Sequence, residues 1–176
     1  GLERMIEAMP AILDRHPDAV YRIVGATHPS LVAKDGESYR DRLVALAQDL
    51  GVTEAVQWEN RFLEIDELLD QLEACDIYVT PYPGMQQSTS GTLSYAVAMG
   101  KAVVSTPYLH ARELLANDHG RLVEPDCSVA LAEAIIALLD NPADMEALQH
   151  RAYAKGRQTI WPKFAEAAAR LIDKAV

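Results

Sequence analysis

Apolar residues along the chain alternate between helical spacing and short unbroken runs, so helices and strands are predicted in turn. Leu2, Ile6, Met9 and Leu13 predict a helix over 2–15, with Pro10 inside it as a place for a kink and His16-Pro17-Asp18 as its end. Ala19 to Val24 is a compact run of strand type that exits at Gly25-Ala26-Thr27-His28-Pro29. Residues 30–36 read as loop, with Asp35-Gly36 as a turn. Tyr39, Leu43, Leu46 and Leu50 mark one face of a helix stopped at Gly51. Val56-Gln57-Trp58 is a short strand, Asn60-Arg61-Phe62 its exit, and Leu63 to Cys75 a helix with Leu68, Leu69 and Leu72 inward.

The centre of the chain runs from Thr80 to Thr106 and reads as strand, loop, helix, strand. Ile77–Thr80 ends at Pro81, Pro83 and Gly84, a polar loop covers Met85 to Ser90, an Ala-rich helix closes at Gly100, and Ala102-Val103-Val104 is a second apolar run. Beyond it come a short helix over 111–116, a turn at Asn117–Gly120, a strand at Arg121-Leu122-Val123 and a helix over 128–139. Asn141-Pro142 then opens a helix, with Asn as cap and Pro in first place. A last helix starts near Trp161-Pro162, with Phe164, Ala168, Leu171 and Ile172 expected inward. Strands alternating with helices predict an α/β domain. The expected plan is a single domain over 1–176 of three α/β/α layers, with a parallel sheet and a C-terminal helical tail.

Composition narrows the function. A chain of 176 residues can bury a sizeable core. Its net charge of −10 argues against a broad nucleic-acid surface, so no nucleic-acid partner is expected. No run is long enough to span a membrane, and no signal-peptide pattern occurs. Cys75 and Cys127 lack metal-ligand spacing and fit two thiols in a reducing, cytoplasmic setting. No metal site is expected. The chain opens at Gly1 already in helical pattern, which suggests a piece of a longer protein.

A loop that runs from a strand tip into a helix start can hold an anion. The first helical N–H groups lack partners, and the helix dipole places positive charge there. Ser88, Thr89 and Ser90 can each cap that helix, and Gly91 leaves room for a ligand to approach the backbone. The same Ser/Thr-Gly start also serves as a plain cap. His28 at a strand exit and His110 beside the loop could touch a ligand or be structural. Arg61 could face a base, a phosphate or solvent, and Glu113 could be an acid at the start of its own helix or, as the resemblance described next implies, a neighbour of the ribose or base.

An ordered set of segments resembles a family. The segments are Arg22–Gly25, Leu63–Leu68, Ala74–Val79, Thr80-Pro81, Ala96–Thr106, Glu113-Leu114-Leu115, Gly120–Val123 and Asp126 followed by Leu131. Together they resemble the C-terminal, donor-binding half of GT-B glycosyltransferases of the retaining family 4. The resemblance implies a Rossmann-like domain that binds a nucleotide sugar, needs no cofactor, and works with an N-terminal acceptor domain of the same protein. It also implies two carboxylates for the donor sugar and ribose, with backbone N–H groups between them for the diphosphate. Counting from Gly100-Lys101 puts Gln87 and Tyr95 where those carboxylates stand. The expected donor-binding set is Gln87, Ser90, Gly91, Thr92, Leu93 and Tyr95, with His28 and Glu113 nearby. No catalytic residue is assigned. Tyr108-Leu109-His110 stands where the family often has Gly-Gly, and the family's leading strand and basic residues would precede Gly1. This portion alone is therefore expected to be inactive. The alternative is a non-catalytic domain of the same shape that binds a nucleotide or a partner. A nicotinamide-binding domain is disfavoured because the glycine fingerprint is missing.

Overall fold

The computed structural model describes residues 1–175. Helix α1 (Leu2–Arg15) leads into strand β1 (Tyr21–Val24), helices α2 (Pro29–Asp35) and α3 (Ser38–Asp49), and strand β2 (Val56–Glu59). Helix α4 (Ile65–Ala74), strand β3 (Ile77–Thr80), helix α5 (Gly91–Ala98) and strand β4 (Ala102–Ser105) form the centre. Helix α6 (Leu109–Leu114), strand β5 (Arg121–Leu122) and helices α7 (Ser128–Asp140), α8 (Pro142–Gly156) and α9 (Trp161–Ala175) complete the order.

All strand pairs are parallel, as alternation with helices requires. Strand β4 is buried along its whole length. Its residues alternate between two cores, because successive side chains leave opposite faces of a strand. Ala102 and Val104 join Met5, Ile6, Met9 and Ile12 of α1 with Leu131 and Ile135 of α7. Val103 joins Leu72, Leu93, Val97 and Tyr108 on the other side. Two helical layers therefore sandwich the strands, and the three-layer α/β/α expectation holds. Residues 30–35, expected as loop, are helical instead, and Gly36 forms the turn that ends the helix. Pro29 fits the first position of α2, and His28 Nδ1 accepts the Ser30 amide at 3.2 Å as its cap.

The sheet is divided. Strands β1 and β2 form one parallel pair, and β3, β4 and β5 form a second sheet. Between them lies an open slot of about 850 Å³, lined by Tyr21 to Gly25 from one side and Ile77 to Val79 from the other. Leu2, Met5 and Met9 of α1 form part of its wall. The slot explains why Ile77, Tyr78 and Val79 are only half-buried while their neighbour β4 is closed off. Among the described residues, the edges of β1 and β3 that face it have no strand partner.

The last helix also departs from expectation. Phe164, Leu171 and Ile172 were expected inward, but they are 63%, 68% and 65% exposed, and Trp161 is 82% exposed. Ala168 is half-buried. Helical spacing sorts residues onto one face of α9 without specifying what lies opposite it, and residues 1–160 do not cover that face. Trp161 and Phe164 pack edge-to-face on each other at 5.8 Å.

Candidate functional site

The buried polar residues Thr80, Ser90, Ser105 and Thr106 lie together at the C-terminal ends of β3 and β4 and the start of α5. Such residues are tolerated inside only when their polar atoms are paired. Thr80 Oγ1 pairs with Ser105 Oγ at 2.8 Å and with the Tyr108 hydroxyl at 3.2 Å. Thr106 donates to the Tyr82 carbonyl at 2.7 Å, and the Tyr82 and Tyr108 rings pack 5.2 Å apart. This buried network holds the loops that leave the two strands. In open α/β sheets that end of the strands is where ligands bind.

The loop over 84–90 is held from α6. The Leu109 amide donates to the Met85 carbonyl at 3.0 Å and the His110 amide to the Gln87 carbonyl at 3.2 Å. Ser90 is the cap of α5, which decides among the three candidates in the sequence, and its hydroxyl accepts the Leu93 amide at 3.4 Å. The Ser90 amide donates to His110 Nδ1 at 2.9 Å. Gly91 and Thr92 occupy the first two helical positions, where a helix offers no internal acceptor for N–H. A Cβ added at Gly91 would meet no atom within 4 Å, so the surface beside this residue is open.

The sequence-predicted residues fall into distinct settings. Ser90, Gly91 and Thr92 sit together at the start of α5. Leu93 is fully buried and its amide is engaged by Ser90. Gln87 is exposed in the loop, and its side chain donates to the Thr89 carbonyl at 3.1 Å. Tyr95 is exposed one turn along α5. Glu113 is exposed in the last turn of α6, so the helix-start alternative for it does not hold. His28 caps α2 and lines the slot. Arg61 donates to Glu59 at 2.7 Å and Glu67 at 2.9 Å.

Three residues that the sequence reading passed over belong to this region. The Tyr78 hydroxyl donates to Thr92 Oγ1 at 2.6 Å, and the Tyr82 hydroxyl lies beside Ser90 and Thr92. Burial pushes both phenols above their ordinary titration range, so both stay neutral donors. The third is Arg40. It donates to the Gly25 carbonyl at 3.3 Å and lies 5.7 Å over the Trp58 ring. Its Nη1 is buried with no partner among the described residues, and so is Oε1 of Gln71; both residues line the slot. Tyrosines at strand type positions give no sequence signal for this role, since they read as core. Among the described residues no three His, Cys, Asp or Glu side chains converge as a metal site. No described helix is long and apolar enough to cross a membrane.

Comparison with known proteins places this geometry in context. The family model described as glycosyl transferases group 1 matches residues 1–141. A GDP-mannose-dependent monoacylated alpha-(1-6)-phosphatidylinositol monomannoside mannosyltransferase of Corynebacterium glutamicum is 30% identical over 147 residues. That match takes in 81% of this chain and 35% of the enzyme, so the chain spans about a third of its relative. The C-terminal domain of a glycosyl transferase group 1 protein from Francisella tularensis superposes with TM-score 0.77 at 20% identity, covering 90% of this chain and 78% of that one. Anabaena HepE in complex with UDP gives TM-score 0.78 at 21% identity, covering 97% of this chain and 45% of that one. A HepE structure with UDP-glucose gives TM-score 0.77 at 20% identity, again covering 97% and 45%.

Proposed function

The chain belongs to the glycosyl transferases group 1 family, and on that premise we propose that it is the donor-binding domain of a retaining hexosyltransferase that takes its sugar from a nucleotide sugar. The observation that carries this reading is the start of α5: the Gly91 and Thr92 amides, with no acceptor among the described residues, lie at the C-terminal ends of parallel strands, and Gly91 is exposed. Oriented N–H groups at a helix start stabilise a diphosphate, whose charge grows as the sugar–phosphate bond breaks. The UDP and UDP-glucose complexes of HepE, a protein of the same fold, support a nucleotide donor here. Gln87 and Tyr95 would serve the sugar and ribose by neutral hydrogen bonds where the resemblance implies carboxylates. The set Ser90, Gly91, Thr92 and Leu93 provides the phosphate cradle, with the Leu93 amide securing the cap. His28 on the slot wall and Glu113 at the end of α6 complete the expected set, and no cofactor is required.

In the same reading, an N-terminal domain of the whole protein supplies the acceptor site, and a leading strand fills the slot between β1 and β3. Several features support the strand. Two unpartnered strand edges face the slot, its wall includes apolar side chains of α1, and Gly1 abuts the Pro81 carbonyl at the exit of β3. A strand parallel to its neighbours would end at that exit, where α1 begins. The unpaired atoms of Arg40 and Gln71 would face its backbone. Residues 1–176 alone would then bind donor without transferring sugar. Two free, half-buried thiols fit a cytoplasmic setting. The second reading, a non-catalytic nucleotide-binding domain, is favoured by the neutral Gln87 and Tyr95.

A thermal-shift panel with UDP, GDP and ADP tests the proposal. At a hundredfold excess over Kd, the cognate diphosphate is expected to raise Tm by roughly 5–10 °C. Gly91→Phe, whose Cβ would meet no atom within 4 Å, is expected to remove the shift. No shift with any nucleotide, or an unchanged shift in the variant, would contradict it.

A further inference from the structure

We propose that His110 is a positioning residue that locks the donor loop by standing in for a missing capping box. The inference rests on the donor-site reading for its consequence but not for its geometry. A capping box uses a Glu or Gln at the third helical position to accept the amide of the cap residue. Helix α4 has one, with Glu64 and Glu67 in the two roles. Helix α5 cannot, because its third position is Leu93, which is fully buried in the core. The Ser90 amide must therefore find another acceptor, since Ser90 is itself 5% exposed and an unmade bond there is costly. His110 supplies it from a different helix, through Nδ1 at 2.9 Å.

The contact is one half of a two-point stitch. The His110 main-chain amide donates to the Gln87 carbonyl, so a single residue spans both ends of the segment Gln87–Ser90. Neighbouring Leu109 fixes Met85, and Tyr108 anchors α6 to the buried Thr80 hydroxyl. The loop's position relative to the Gly91 and Thr92 amides is thus set from α6. Accepting at Nδ1 requires the neutral tautomer that carries its proton on Nε2. The imidazole is thereby an acceptor with a fixed ring orientation.

Replacement of the side chain separates this role from a merely structural one. His110→Asn keeps an acceptor where Nδ1 stands, His110→Gln carries it one bond further, and His110→Ala removes it; all leave the main-chain stitch to Gln87. We expect the Ser90 amide to exchange about tenfold faster in the Ala and Gln variants and near the wild-type rate in the Asn variant. Nitrogen chemical shifts of the wild-type ring should report the Nε2–H tautomer. Affinity for the cognate nucleoside diphosphate should fall about three- to tenfold in the Ala variant and recover in the Asn variant, because the amides are no longer pre-organised. Unchanged Ser90 exchange in His110→Ala, or an Nδ1–H tautomer, would overturn the clamp. Lost protection with undiminished affinity would overturn its role in positioning. If the wild type binds no nucleoside diphosphate, the donor-site reading falls, and exchange and tautomer still decide the clamp.

Discussion

At the scale of single residues, the site is built on hydroxyl groups that a sequence cannot pair. Thr80, Ser105 and Tyr108 lie 25 and 28 positions apart in the hydrogen bonds they share, and only the parallel register of β3 and β4 brings them together. Thr80→Val keeps the shape and leaves two buried hydroxyls short of a partner. We expect a loss of about 1–3 kcal/mol in urea unfolding at an unchanged m-value. The helix start at Ser90 was legible as one of three caps. What selects it, the acceptor on His110, is 20 residues away and carries no local signature. Gly91 and Thr92 were legible as the first helical positions of α5, because a helix start depends on position rather than on side chains.

At the scale of elements, most boundaries followed from periodicity and breakers. Asn141-Pro142 opened α8 as read, with Asn141 Oδ1 accepting the Asp144 amide at 3.2 Å. Helix α2 was missed although His28-Pro29 and Gly36 are start and stop signals, because its seven residues carry no apolar stripe long enough to show a period. Close approach of α5 and α8 was equally invisible. A Cβ at Gly156 would lie 2.4 Å from Cα of Ala98, main chain against main chain. Gly→Ala inside a helix ordinarily stabilises by up to about 1 kcal/mol. Here the clash dominates, and Gly156→Ala is expected to destabilise by about 1–3 kcal/mol, lowering the thermal midpoint by several degrees. Helix α9 shows the limit of pattern reading, since an apolar stripe reports a face and not its cover.

At the scale of the whole molecule, the parallel α/β/α plan was legible from alternation alone, while the division of its sheet was not, because a slot has no residues to read. Burial of tyrosines around the slot and its surroundings has a consequence at high pH. Tyr21 and Tyr78 are pushed up by burial, and Tyr39 is pushed up to about 12 by burial and the nearby Glu3 carboxylate. The fold favours the neutral phenols, so their contribution is full below the unfolded value of about 10 and is lost as pH rises toward the folded values. Urea midpoints should hold up to about pH 9 and fall by pH 11, with a smaller fall in Tyr39→Phe. The most direct test of the central claim is an amide chemical-shift titration of the protein with UDP and with GDP. The account predicts saturable shifts that are largest at Gly91 and Thr92, with one base clearly preferred. Saturable shifts confined to other parts of the chain, or none from either nucleotide, would contradict it.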